Sequence, residues 1–354
     1  MNKVLTGGAA LLLTTSMAHA VGLDRSGQSV GVLFEDGNYA ELSYGYVSPD
    51  VTGNDIGFGE SDTGNVAEAY DQLGLGYKRD IDSQFSFALI FDEPYGANID
   101  YPDDGSVLIS PTAAELNSVA LTGLLRYKFD ENFSVHGGLR GQRLDADIVL
   151  PNGTPVELDY STAFGYVIGG AYERPEIALR VALTYFSEIE HTFDTTTAGV
   201  FQEELEVKTP QAVNLDFQTG IATDTLLFGS VRWAEYSVVE VIPTPVGESI
   251  TDIDDGFSYS LGVGRRFTDE FSASISATLD TEGDDDLVSP LSPTNGSSSI
   301  GLGGQYQVND NVTLSGGVRY IMLGDANAAP SDVPLVEFKD NNAVAVGFKI
   351  GYDF

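Results

Sequence analysis

The last twelve residues, Ala343-Val-Ala-Val-Gly-Phe-Lys-Ile-Gly-Tyr-Asp-Phe354, decide the reading of the fold. Val344, Val346, Phe348, Ile350, Tyr352 and Phe354 take every second position; Ala343, Ala345, Gly347, Lys349, Gly351 and Asp353 lie between them. Side chains alternate across a strand, so this segment is a strand with one greasy face and one small or polar face. In a soluble sandwich the greasy face would be buried against a second sheet. In a membrane barrel it meets lipid, and the small face lines the lumen.

The zigzag recurs upstream. Val312, Leu314, Val318 and Tyr320 alternate with Thr313, Ser315, Gly317 and Arg319. Phe257, Tyr259, Leu261 and Val263 alternate with Ser258, Ser260, Gly262 and Gly264. Six tight connections rich in turn formers lie at 79–83, 130–132, 173–176, 223–224, 268–270 and 309–311. Between them are seven longer polar stretches, near 51–67, 101–114, 146–156, 188–204, 242–255, 281–296 and 324–341. Six turns and seven loops make thirteen connections, hence fourteen strands. They are placed at 38–50, 68–79, 84–100, 115–129, 133–145, 157–173, 177–187, 205–222, 225–241, 256–267, 271–280, 297–308, 312–323 and 342–354. Each supplies about the 9–11 residues a tilted membrane strand needs. The expected fold class is therefore all-β, a transmembrane antiparallel β-barrel with short periplasmic turns and longer extracellular loops. Aromatic residues gather beside the turns (Tyr77, Phe85, Tyr127, Phe129, Phe133, Tyr172, Phe267, Phe271, Tyr306, Tyr352), where an interfacial girdle belongs.

The N-terminus fits export. Lys3, the apolar run Val4 to Leu13 and Ala18-His19-Ala20 make a secretory signal peptide over 1–20. A short segment, 21–37, then precedes the barrel at 38–354. No later run reaches the ~18–20 apolar residues of a membrane helix. The 354 residues contain no cysteine and hence no disulfide framework. A net charge of −36 argues against nucleic acid or any phosphate-binding partner. Acidic residues concentrate in the expected outer loops, such as Asp252, Asp254 and Asp255, as a solvated surface or as divalent-cation bridges to lipopolysaccharide. No ion-loop spacing or cofactor motif is present.

Phe87-Ala-Leu-Ile-Phe91 followed by Asp92-Glu-Pro-Tyr-Gly-Ala97 resembles the strand-then-Pro-aromatic-Gly segment of the FadL/TodX family, outer-membrane transporters of long-chain fatty acids and aromatic hydrocarbons. Lys208-Thr-Pro-Gln-Ala-Val213, Val231-Arg-Trp-Ala-Glu-Tyr-Ser237, Gly316-Gly-Val-Arg-Tyr320 and the closing Gly347-Phe-Lys-Ile-Gly-Tyr-Asp-Phe354 are similar to further family segments. The resemblance implies a fourteen-stranded barrel in the outer membrane of a Gram-negative bacterium, passive uptake of hydrophobic molecules and a sideways exit where strand 3 is kinked. It also implies a longer N-terminal hatch with an Asn-Pro-Ala motif, which this sequence lacks; only 21–37 precedes strand 1. The terminal Phe354 resembles the signal read by the barrel assembly machinery.

Three groups of residues are candidates for function. Apolar loop residues Phe58, Tyr101, Leu108, Ile109, Phe193, Phe201, Leu287, Leu291, Leu335 and Phe338 could line a pocket for a hydrophobic substrate, or pack the loops together. Pro94, Tyr95 and Gly96 could break the wall as a lateral opening, or begin the outer loop. By alternation Arg126, Arg140, Arg180, Arg232, Arg266 and Arg319, with Lys128 and Lys349, point into the lumen, to attract a carboxylate or to pair with Asp92, Asp216 and Asp353. Beyond the signal the only histidines are His136, read as lumenal, and His191, read as a loop residue; neither has a serine nucleophile setting, and no enzyme is expected. Two alternatives stay open: a general diffusion porin for polar solutes, and a non-transporting surface or adhesin barrel.

Overall fold

The structure, a computed structural model, describes residues 23–57, 61–283, 286–330 and 333–354. Fourteen antiparallel strands form the wall: β1 (Tyr39–Asp50), β2 (Tyr70–Asp80), β3 (Phe85–Asp92 and Gly96–Asp100), β4 (Ala113–Lys128), β5 (Phe133–Val149), β6 (Pro155–Arg174), β7 (Leu179–Phe186 and Ile189–Thr197), β8 (Phe201–Thr209 and Ala212–Ala222), β9 (Thr225–Ala234), β10 (Gly256–Arg266), β11 (Phe271–Asp280), β12 (Ser297–Gln307), β13 (Val312–Leu323) and β14 (Asn342–Asp353). β1 pairs with both β2 and β14, Tyr44 lying opposite Phe348, so the sheet closes on itself. Four short segments, Gly53–Asp55, Leu287–Val288, Ala326–Ala328 and Val336–Phe338, make a small sheet among the loops.

Burial fixes which face is which. Phe348 is 63% exposed and Leu302 55%, whereas Ala345 is fully buried and Arg319 only 2% exposed. Large apolar side chains outside and charged ones inside invert a soluble protein and satisfy a barrel in lipid. At the turn end the aromatics pair across strands: Phe85 with Tyr127 at 4.9 Å and Phe133 with Tyr172 at 4.8 Å between ring centroids. Phe354 stacks on both Tyr77 and Tyr352.

The sequence expectations need four corrections. Residues 188–204 are largely a continuation of β7 and β8 as a paired hairpin, Ile189 opposite Thr209, not a loop; His191 therefore sits on a strand, facing inward. β5 and β6 run on to Val149 and Pro155, leaving a short connection. β9 ends at Ala234 rather than 241. β3 is interrupted at 93–95.

The first two corrections share a cause. Above the membrane the zigzag changes phase: Arg143, Asp145 and Asp147 point out while Leu144, Ala146 and Ile148 are buried inside. Water now bathes the outer face, so the apolar side belongs inside.

The N-terminal segment lies within the lumen. Val32, Leu33 and Phe34 are buried in a single 3-10 turn, Gly31–Phe34. Phe34 sits between the guanidinium groups of Arg126 and Arg180, at 4.6 and 4.9 Å, with His136 edge-on at 5.8 Å. Higher up, Arg232 Nε donates to Asp24 Oδ2 at 2.5 Å, and Asn214 donates to the carbonyl of Gly27 at 2.9 Å. The described residues ahead of β1, 23–38, thus run through the barrel interior.

Candidate functional site

The break in β3 has a local cause. Pro94 has no N–H to give a neighbouring strand. Pairing between β2 and β3 runs from Asp80/Ser86 to Leu75/Phe91 and stops. It resumes only where Glu68 N–H meets Asn98 O and Asp100 N–H meets Val66 O, both at 2.9 Å. The backbone between turns inward and bonds elsewhere. Arg25 N–H donates to Pro94 O at 2.8 Å and Gly96 N–H to Leu23 O at 3.0 Å. Tyr95 N–H donates to Ser118 Oγ at 2.8 Å. On the β2 side, Leu73 N–H is met by the Glu93 carboxylate at 2.9 Å. These partners, from the N-terminal segment and from side chains, replace some of those a strand neighbour would have offered, as membrane depth requires of buried backbone groups. Gly96 leaves room here for the Arg25 guanidinium, which a Cβ would displace and which bonds Asn98 and lies 4.0 Å over the Tyr70 ring.

Two cavities flank this point. The first, about 80 Å³, is apolar and lies inside the upper wall. Leu116 of β4, Leu144, Ala146 and Ile148 of β5, Leu158 of β6, Phe193 of β7 and Val207 of β8 form its sides. Val239, Val241 and Leu291 come from loops, and Leu23 and Tyr95 close its base. Such a lining is typical of sites for apolar small molecules. The second, about 130 Å³, lies against the β2–β3 gap, lined by Tyr70, Gly96, Asn98 and Ile99 with Arg25, Val47 and Ile321. The two share Leu23, Ala97, Leu291 and Ser292, so the start of the described chain stands between them.

The sequence candidates divide. Phe193 and Leu291 line the apolar cavity, as does Tyr95. Tyr101, Ile109 and Phe338 are buried in a separate loop cluster with Val51 and Val66, and Leu108 and Leu335 pack against its edge. There Tyr101 donates its hydroxyl to the Pro290 carbonyl at 2.9 Å, and burial raises its pKa. Leu287 lies in a polar cleft with Asp252 and Asp254, and Phe201 is exposed at the β7–β8 tip. Phe58 lies outside the described residues. The residues that reading by loops missed (Leu116, Leu144, Ala146, Ile148, Leu158, Val207) are on strands. The change of phase beside Arg143, Asp145 and Asp147 was their signal.

Of the basic residues, Arg126, Arg140, Arg180, Arg232, Arg319 and Lys349 are buried, and Arg266 is half-buried at a turn beside Asp224. Arg126 pairs with Glu173, and Lys349 with Glu41 at 2.9 Å. Arg140 meets both Asp92 oxygens at 3.2 Å while Ser26 donates to the same carboxylate at 2.6 Å. Lys128, half-buried, closes the turn end of β4. His136 Nε2 lies 3.0 Å from Thr184 Oγ1, and His191 Nε2 lies 3.1 Å from Gln142 Oε1.

A family model described as "Outer membrane protein transport protein (OMPP1/FadL/TodX)" matches residues 38–354. The chain belongs to this family. Its barrel also superposes on solved members. A Pseudomonas aeruginosa FadL homologue gives a TM-score of 0.75 at 14% identity over 92% of both chains. The P. putida toluene transporter TodX gives 0.65 at 10% identity over 90% of both, and the Ralstonia pickettii toluene transporter TbuX 0.64 at 11% over 98% of both. No curated protein matches the sequence. At these identities the likeness is one of fold. Membership in the OMPP1/FadL/TodX family, with the closed barrel, puts the protein in the outer membrane of a Gram-negative bacterium.

Proposed function

We propose that this family member admits small hydrophobic molecules passively, through the apolar cavity and out sideways at the β2–β3 gap. One observation carries the reading: the apolar cavity and the cavity at the gap share lining residues, with Leu23 between them. An apolar molecule loses water-exposed surface on entering the first cavity, gaining about 25 cal/mol per Å² buried. It leaves into lipid, so no energy source is needed. The related transporters are named for toluene and for FadL, which supports aromatic hydrocarbons or fatty acids as the substrate class.

In this reading residues 1–20 are a cleaved signal peptide, and the segment that follows blocks straight passage through Phe34. The acidic outer wall above the membrane faces lipopolysaccharide, and the strand ending in Phe354 is presented to the barrel assembly machinery. The test is uptake of labelled toluene and oleate by cells that rely on this protein, alongside planar-bilayer conductance. The expected result is uptake with little ion conductance, and uptake reduced by Gly96→Leu, which fills the gap. Steady porin-like conductance with no hydrophobic uptake would refute it.

A further inference from the structure

The cavity at the β2–β3 gap holds a cation that no carboxylate of the protein answers. Arg25, 8% exposed, lines this space of about 130 Å³. Two neighbours fix its side chain. Nη2 donates to the neutral side chain of Asn98, and the Tyr70 ring lies 4.0 Å from the guanidinium carbon. Nε and Nη1 have no protein acceptor, and neither is sealed from water. Arg25 takes part in none of the ion pairs among the described residues. Burial lowers its pKa by more than Tyr70 and Glu93 raise it, and the Glu93 carboxylate is spent on Leu73 N–H. Two acids also line the cavity. Asp24 is bonded to Arg232 at 2.5 Å, and Glu68 is exposed, so water screens it.

A buried charge without a counter-charge is costly, and an aromatic ring beside it offsets only part of that cost. An anion in the cavity would complete the arrangement, and the rest of the lining says which kind. Val47, Ile99, Leu291 and Ile321 are apolar. Walls of this sort hold an apolar body that a few polar groups orient. The planar N–H donors of a guanidinium match a carboxylate. An apolar cavity of ~150 Å³ takes one benzene ring, so the space here suits a single ring or a short chain. We propose that Arg25 binds the carboxylate of a small apolar acid, an aryl or short alkyl carboxylate, whose body lies against Val47, Ile99 and Ile321. The segment ahead of the barrel then supplies a ligand-binding group as well as filling the break in β3. The apolar cavity is built differently: the one basic residue in its lining, Lys208, is paired with Glu188 at 3.0 Å.

Two probes alike in body and different in charge, 4-bromobenzoate and 4-bromobenzyl alcohol, test the site on the purified mature protein in detergent. Crystals soaked in the acid should show an anomalous bromine peak beside Val47, Ile99 or Ile321, with a carboxylate oxygen within hydrogen-bond distance of Arg25 Nε or Nη1. By calorimetry the native protein should bind the acid about tenfold or more tightly than the alcohol, the scale of one charge-assisted hydrogen bond. In Arg25→Gln that preference should vanish. If Arg25→Gln fails to assemble, the native crystal and the native pair of affinities decide. Equal native affinity for acid and alcohol, or bromine found only away from Arg25, would overturn the proposal. Binding by the purified protein is read apart from uptake by cells. A native protein that binds the acid but admits no toluene or oleate fails the transport reading alone, and one that admits toluene but ignores the acid fails this site alone.

Discussion

The two walls of this barrel are built differently. On β4–β8 the inward side chains are large: Leu144, Ile148, Leu158 and Phe193 above, Arg126, His136, Arg140 and Arg180 below. These strands also rise above the membrane. On β10–β14 the inward positions are mostly small: Ser260, Gly262, Ser276, Ser299, Gly347 and their neighbours, and the strands stop lower. At membrane depth the outer faces of both walls are greasy, as at Leu139 and Phe348. Lipid therefore sets the outside of every strand, while the inside is free to differ, and here one wall carries an apolar cavity and the plug contacts while the other offers hydroxyls.

The comparison can be broken most sharply by a charge. Ile148→Asp would bury an unpaired carboxylate in the apolar cavity, and toluene or oleate uptake should fall at least tenfold. Ser299→Ala on the opposite wall should leave uptake within about twofold. These bounds follow from the ~1–3 kcal/mol scale of burying an unpaired polar group against the small effect of trimming one hydroxyl. Unchanged uptake in Ile148→Asp would sink the assignment of the cavity.

Next in size is stability. Arg140→Ala strands the buried Asp92 carboxylate, which should cost about 3–5 kcal/mol in urea unfolding from micelles. A cost near zero would mean that the Ser26 bond alone satisfies Asp92.

A pH effect should follow from the plug. Burial raises the Glu35 carboxyl to about 7, more than Lys349 and Arg180 can offset. A carboxyl with a raised folded pKa favours the protonated, docked state. That contribution is complete below about 4.5 and disappears as pH rises through about 7. Hydrogen exchange at Val32 to Phe34 should quicken across that window and lose its pH dependence beyond the intrinsic rate in Glu35→Gln. The smallest effect is expected at Arg266→Ala, whose half-exposed pair with Asp224 should be worth about 0–1 kcal/mol in the same unfolding assay.

The strands were legible because lipid enforces a strict two-residue period, as in Ala343 to Phe354. The cavity was hidden by the same rule. Once Asp145 and Asp147 face water the period survives but its phase reverses, and a reader looking for outward grease sees a polar loop. Pro94 and Gly96 announced a break, but not that Leu23 and Arg25 would occupy it. The grip on Phe34 was not legible either, since Arg126 and Arg180 lie on separate strands and meet only when the wall curves.

The bond between Asp24 and Arg232 joins residues 208 positions apart. The leading segment cannot reach its final place until β9 has been made, although it leaves the secretion machinery first. Docking of the tail is thus a late event in maturation, contingent on a strand far along the chain.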